Sequence, residues 1–434
     1  MFYSSDEVLQ YVRENDVKFI RLAFCDICGT LKNIAIMPSQ LERALDEGIT
    51  LDPRALRGFQ AAGGYDLLLK PDPSTLTAMP WRPQQGRVVR LMSSLMTTNG
   101  EPFVLDTREI LRRTVREAIK PGYTFRIGTE CEFYLFETDE NGKPTHTPQD
   151  NATYCDIAPV EKAENVRREI CLTLEEMGIN PESSHHEVGP GQNEVDFAFA
   201  DVMSAADNAV LFKQVVRTVA AMDGLHASFM PKPLRGQAGS GMHINLSAYR
   251  DGRNIMNIDG SDRGALTGDA AGLVAGIMRR LPEMTALLNP ITNSYERLSD
   301  MDMPGSVGWS LDNSQVVRLP HATGERARME LRSPDSALNP YIAFSLIIAA
   351  GMEGIRDGLT LPASRRFGDL PGTADMLPRD LRSAIALSQS EFISSVLPAE
   401  LLNAFTAQRM REIEFVENSP DRTSAESDLY FMYI

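Results

Sequence analysis

Four short stretches carry acids, histidine or arginine at every second position, the spacing that puts side chains on one face of a strand. In ECEFYLF, Glu130 and Glu132 share a face, and Cys131, Phe133 and Leu135 share the other. In NEVDFAF, Glu194 and Asp196 share a face. In GMHINLS, His243, Asn245 and Ser247 lie opposite Met242, Ile244 and Leu246. In RMELR, Arg328, Glu330 and Arg332 lie opposite Met329 and Leu331. Any one of these fits the solvated face of an edge strand. Together, with apolar reverse sides that pack on a core, they point to polar faces converging on an acidic concave surface that needs cations. Carboxylates with a single imidazole are the ligand mix of Mg²⁺ or Mn²⁺ rather than of zinc or iron–sulfur. Two such ions side by side suit phosphoryl transfer.

Three further features attach to these strands. The run SSHHEVGPGQNEVDF puts His185, His186 and Glu187 before a Gly/Pro turn and Glu194 after it, so acids on both sides of the turn can reach one cation. Arg318, Arg326, Arg328 and Arg332 are crowded into fifteen residues that hold only Glu325 and Glu330 as acids. Arginine's planar fork suits phosphate and carboxylate, so this local inversion of charge reads as a phosphate clamp rather than ordinary pairing between strands. The loop MPKPLRGQAGSGMH feeds the His243 strand; its Gly-Ser-Gly has no Walker lysine after it and is a weak phosphate signal alone.

The elements that must position these residues fall into two units. Residues 1–100 read as a small α+β unit: a helix from Asp6 to Glu14, the hairpin VKFIRLAFCD–LKNIAIM, a helix capped by Ser39 and stopped at Gly48, and the strand RVVRLMSS. The turn at 97–103 is the boundary candidate. Residues 101–434 alternate long helices with strands and become mainly helical after 335. The chain has 434 residues, long enough for two or three domains at roughly 150 each. With 43 basic and 59 acidic residues the net charge is −16, which argues against nucleic acid and anionic membrane as partners. No apolar run approaches the ~18 residues of a membrane span, and the start lacks the signature of a signal peptide. Five scattered cysteines imply a reducing cytoplasm. The Cys25–Cys28 pair lacks the second pair a zinc site wants and reads as two small apolar residues near a turn.

With these residues in view, the chain resembles the class I bacterial glutamine synthetase family over essentially its whole length. GTECEFYLF resembles the family's PExEFFLF, SSHHEVGPGQNEVDF its HHEVxPGQxEID, and KPLRGQAGSGMHINLS its ATP-region signature. NPITNSYERL resembles its substrate-arginine segment, ARMELRSPDSALNPYIA its RxEVRxxDPxxNPYLA, and FCDICGTLK its FxDxxGxxK. The resemblance implies an α+β fold, with a small N-terminal β-grasp domain and a large catalytic domain whose curved, mainly antiparallel sheet is flanked by helices. It implies an ATP-dependent ligase that makes glutamine from glutamate and ammonia through γ-glutamyl phosphate. It implies one Mg²⁺ or Mn²⁺ on Glu132, Glu187 and Glu194, and another on Glu130, His243 and Glu330. Glutamate would be bound by Gly239, Arg297 and Arg332. ATP would meet Glu182, Asn245, Ser247 and Arg318, with Tyr154 and Arg328 nearby. Asp52 would help bind and deprotonate ammonium across a subunit boundary, in a homo-dodecamer of two hexameric rings.

The chain departs from the family pattern where the amine is handled. FDGSS reads LDPRA, which keeps Asp52 but brings in Pro53, Arg54 and Ala55. The flap acid is Asp302, one methylene shorter than the usual glutamate. WSAxNRS reads WSLDNSQ, so the phosphate arginine after Asn313 is missing, and Ala238 replaces an asparagine before Gly239. The adenylylation tyrosine loop has no counterpart at 361–378, and the C-terminal tail lacks the tryptophan of WExxxY. These departures leave open two alternatives: a γ-glutamyl ligase acting on an organic amine, and a weakly active or non-catalytic regulatory homologue.

Overall fold

The computed structural model describes residues 3–59, 65–82, 85–257, 266–299, 306–365 and 376–434. A six-stranded sheet comes first: β1 (Val17–Cys25), β2 (Leu31–Ile36), β3 (Ile49–Leu51), β4 (Leu67–Pro71), β5 (Thr77–Ala78) and β6 (Arg87–Thr97). The order is β2-β1-β6-β4-β3, with β5 on β6. The expected hairpin is present, Ile20 to Cys25 pairing antiparallel with Ile36 to Leu31, and β1 pairs β6 in parallel. The first helix, Ser5–Glu14, opens with a capping box between Ser4 and Glu7. The cap expected from Ser39 is absent. Residues Pro38–Gln40 form a tight 3-10 turn, and the α-helix Leu41–Asp46 follows with no side-chain cap. Proline at the first position already fixes the entry, so the hydroxyl is not needed.

An eleven-stranded sheet follows: β7 (Tyr123–Thr138), β8 (Pro144–Pro148), β9 (Pro181–His186), β10 (Gln192–Phe197), β11 (Ala200–Asp201), β12 (Leu225–Ser228), β13 (Met242–Arg250), β14 (Arg253–Asn254), β15 (Trp309–Ser310), β16 (Val317–Arg318) and β17 (Met329–Leu331). Its path is β15-β16-β17-β13-β7-β10-β9, antiparallel except for β15 beside β16. The sixteen-residue β7 is the hub and pairs with β8, β10, β11, β12 and β13. Its apolar face obeys the alternation: Cys131, Phe133 and Leu135 are buried, and Phe133 packs edge-on to Phe212 of helix Val202–Met222, with ring centres 6.2 Å apart.

Helices Thr107–Ile119, Glu164–Glu176, Gly268–Leu288, Pro340–Arg356 and the C-terminal set from Leu381 to Tyr430 surround this sheet. Helices Gly268–Leu288 and Pro340–Arg356 bring their backbones together at Gly272, Gly276 and Gly354; a Cβ on Gly354 would lie 2.0 Å from the Gly272 carbonyl oxygen. Asn339, the cap of helix Pro340–Arg356, reaches the turn after β1: its Nδ2 donates to the Asp26 and Ile27 carbonyls at 3.2 and 3.3 Å. Gly29 turns with φ +78° against Asn339, where any Cβ would stand 2.8 Å from Asn339 Cα. No described helix is long and apolar enough to cross a membrane.

Candidate functional site

Strand register assembles the site. Glu130 of β7 lies opposite His243 of β13 and opposite Asp196 of β10; Glu132 lies opposite Glu194. Asn245 of β13 lies opposite Glu330 of β17, which in turn lies opposite Arg318 of β16. Five strands thus present their polar faces side by side, as their alternation requires.

Glu130, His243 and Glu330 offer ligand atoms that all lie within 4.8 Å of one another. His243 Nδ1 is 3.2 Å from Glu130 Oε2 and 3.6 Å from Glu330 Oε1. Burial pushes the Glu130 carboxyl up, but the His243 contact and the Asn245 amide at 2.8 Å outweigh it and hold it down to about 2. Glu330 is fully buried and receives Arg318 Nη1 at 2.9 Å and Arg332 Nη1. The Nε atoms of Arg318 and Arg332 are buried with no acceptor among the described residues.

A second cluster joins His185, Glu187 and Glu194, again within 4.8 Å. Glu132 faces it from β7 but is held by other donors: Gly241 N at 2.9 Å and Gln192 Nε2 at 3.2 Å. His185, rather than Glu132, completes the compact trio. A third trio is Glu130, Glu194 and Asp196. Burial, then the charges of Glu132, Asp196 and Glu187, drive the Glu194 carboxyl far above the usual range. Crowded acids of this kind, all hard oxygen donors with imidazole at the edge, are the donor chemistry of Mg²⁺ or Mn²⁺, and the residues fit such ions.

Beside Glu130 opens a cavity of about 510 Å³, lined by Glu182, Asn245, Ser247 and Arg328 together with Arg326 and Phe199. Arg328 Nε donates to Asn245 Oδ1 at 2.8 Å, and Asn245 donates on to Glu130. Ser247 turns its hydroxyl to the Ala327 carbonyl at 2.9 Å. Tyr154 is exposed and packs edge-on to His185, outside this cavity. Arg297 is buried, its guanidinium donating to the carbonyls of Ser333, Pro334 and Arg332 at 2.8 to 3.1 Å. Gly239 and Gly241 make room for it: a Cβ at either would meet Arg297 atoms at 2.7 or 2.4 Å.

Asp52 is apart from these groups and locked to its neighbour. Arg54 Nε and Nη2 reach its two oxygens at 2.9 and 2.8 Å, which with the Arg54 backbone N–H lowers the carboxyl to about 2. Asp302 lies outside the described residues. At the site of the missing arginine, Asp312 Oδ1 accepts Ser314 N at 2.9 Å in a compact turn. The sequence placed His185 and Asp196 among the polar residues of these strands, but the ligand sets implied by the resemblance left both out, and the structure brings both into the clusters. Sequence reasoning had no signal for Phe199. Burial pushes the Cys28 thiol up to about 11 and Cys25 higher still, which favours the thiol over the thiolate at this pair.

Residues 16–98 match the family model "Glutamine synthetase, beta-Grasp domain", and residues 104–428 match "Glutamine synthetase, catalytic domain". The chain is 42% identical over 421 residues to a glutamine synthetase of Clostridium saccharobutylicum, covering 94% of this chain and 95% of that one. It is 40% identical to one of Methanosarcina mazei, covering 94% of each. Among solved structures, GmaS without ligand and a GmaS/ADP complex each match with TM-score 0.84 at 27% identity, over 97% of this chain and 99% of theirs. The Plasmodium falciparum glutamine synthetase shares the fold, with TM-score 0.86 at 19% identity over 99% of both chains.

Proposed function

Because the chain belongs to the glutamine synthetase family of ligases, we propose that it joins glutamate to ammonia at the expense of ATP, through γ-glutamyl phosphate. The observation that carries the reading is the buried Glu330: it is shared between the Glu130–His243 cluster and two arginines, so cation and anion sites meet at one carboxylate.

In this reading Glu130, His243 and Glu330 hold one divalent cation, and Glu132, Glu187 and Glu194 another, with His185 beside the second. Bound there, the cations neutralise charge on the phosphoryl oxygens. Glu182, Asn245, Ser247 and Arg328 receive ATP, with Tyr154 near its edge. Arg318 and Arg332, both held beside Glu330, set their positive charge near the transferred group, where preorganised charge lowers the barrier most. Gly239, Arg297 and Arg332 orient glutamate. Asp52 and Asp302 bind the amine and take its proton, Asp52 from a neighbouring subunit in a dodecamer of two hexameric rings. The division into units 1–100 and 101–434 belongs to the same reading.

A second reading, an organic amine as acceptor, rests on two departures of the amine-handling segments, the lost serine at Ala55 and the shorter acid Asp302. The Asp52–Arg54 pair bears on its scope, because the added positive charge disfavours a polyamine. Ala55 in place of a serine takes a hydroxyl out of this segment. Phosphate release with ATP, Mg²⁺ or Mn²⁺ and glutamate, measured against ammonium and a panel of amines, decides. Turnover with ammonium supports the first reading, and turnover only with an organic amine supports the second. No turnover with retained ATP binding sinks both and leaves a non-catalytic homologue.

A further inference from the structure

Most of the proposed cation ligands owe their place to strand register: Glu130, Glu132, Glu194, His243 and Glu330 all lie within paired strands. Glu187 does not. It stands one residue past the end of β9, at the entry to the turn 188–191. A single backbone bond, from its N–H to the Gln192 carbonyl at 2.8 Å, continues the ladder to it. Its carboxylate oxygens meet His185 Nε2 at 3.0 Å and the Val188 N–H at 2.9 Å, both on its own segment. The aim of the side chain therefore follows the turn.

The turn is held by a buried pair. His186 closes β9 opposite Asn193 and is wholly buried. Its Nε2 lies 2.9 Å from Asp150 Oδ1, and its Nδ1 lies 2.6 Å from the Glu187 carbonyl oxygen. Both neighbours are acceptors, so both ring nitrogens donate, and the ring joins Asp150 to the backbone of Glu187. Asp150 also reaches the other end of the turn. Its Oδ1 accepts the Gly191 N–H at 3.0 Å and the Ala152 N–H at 3.2 Å, and its Oδ2 accepts the Lys162 N–H at 2.9 Å. One fully buried carboxylate thus spans the turn, through His186 to Glu187 at its start and directly to Gly191 at its end. The held end has no slack: Gly191 turns with φ +68°, and a Cβ there would stand 2.8 Å from the Leu135 carbonyl oxygen.

A buried ion pair is a poor way to stabilise a fold, because desolvation offsets the attraction and apolar side chains of similar volume do at least as well. What this pair supplies is a fixed direction. We propose, on the reading of Glu187 as a cation ligand, that Asp150 and His186 are positioning residues for it, setting the reach of its carboxylate toward the ion it shares with Glu194. Neither belongs to the three compact clusters of ligand atoms, so both act through Glu187. Partners behind a metal ligand commonly hold its side chain; here they hold its backbone.

The test is direct Mn²⁺ titration of the full chain, in the parent, Asp150→Asn, His186→Gln, Glu187→Gln, Glu330→Gln and the double variant Asp150→Asn/Glu187→Gln. Glu187→Gln is expected to weaken one class of Mn²⁺ site by about tenfold or more, and Asp150→Asn and His186→Gln to weaken the same class by about tenfold. The class lost in Glu330→Gln should be unchanged in all three, which reports an intact fold within the same titration. The double variant should bind no more weakly than Glu187→Gln alone, because Asp150 then has nothing left to aim. If Glu187→Gln weakens binding and neither Asp150→Asn nor His186→Gln does, the positioning role is overturned while the ligand reading stands. If Glu187→Gln changes nothing, the ligand reading fails and the proposal falls with it. Fully additive losses in the double variant, equal weakening of both classes, or failure of both Asp150→Asn and His186→Gln to fold would assign the pair to the fold and overturn the proposal.

Discussion

Glu130 Oε2 lies 3.2 Å from His243 Nδ1, and the two residues are direct partners across the β7–β13 ladder. The pairing is set by backbone register, so neither side chain depends on a mobile loop for its place. Glu330 is brought to the same point from β17 and is fully buried there.

Glu330→Gln is therefore expected to weaken Mn²⁺ binding, read by direct titration, by about tenfold or more. It should also lower stability by about 3 kcal/mol in chemical denaturation, because Arg318 and Arg332 lose the charge that balances them. Unchanged Mn²⁺ affinity would remove Glu330 from the ligand set.

Asp106 gives a pH signature remote from the site. Burial pushes its carboxyl up to about 6, against the N–H groups of Leu95, Arg108 and Glu109 that it accepts. An acid raised above its unfolded value of about 3.9 favours the fold fully below that value and loses the contribution as pH rises through 6. Stability should fall by about 1–3 kcal/mol between pH 4 and pH 7. Asp106→Asn should flatten that slope whatever its absolute stability; an equal slope in both proteins would assign the dependence elsewhere.

Arg54→Ala frees Asp52 from its bidentate partner. The Michaelis constant for ammonium, followed by phosphate release, is expected to fall several-fold. If it does not move, the Asp52–Arg54 pair has no part in choosing the amine.

Inserting arginine after Asn313 restores a cationic group near Arg318. If the shortened Asp312–Ser314 turn limits phosphoryl transfer, turnover should rise by about tenfold or more, consistent with a few kcal/mol for one charge stabiliser. No gain would mean that Arg318 and Arg332 already supply what the reaction needs.

Much of the site was legible because strands have a period of two. The faces of Glu130/Glu132, Glu194/Asp196, His243/Asn245 and Arg328/Glu330/Arg332 follow from alternation, and β7, β10, β13 and β17 carry them as expected. Partner choice is a different matter, because it depends on register between distant segments. His185 meets Glu194 only through the β9–β10 pairing, and nothing local announces that Glu132 turns instead to Gly241 and Gln192. The Ser39 cap failed because a preceding proline had already shaped the turn. The burial of Arg90 was invisible for a similar reason: RVVRLMSS reads as a strand, but the wall of the cavity around its second arginine includes helix Val202–Met222, more than a hundred residues away.

The hub position of β7 has a consequence for how this protein can change. Five strands take their alignment from it, and its acids alternate with its core residues. One inserted or deleted residue near its middle would turn acids inward and phenylalanines outward on every later rung. Point substitutions can retune the chemistry, but a change of length in β7 would dismantle the cation clusters and the hydrophobic interior in the same event. Heritable length variation should therefore be confined to the connections, such as the short turn before Arg318.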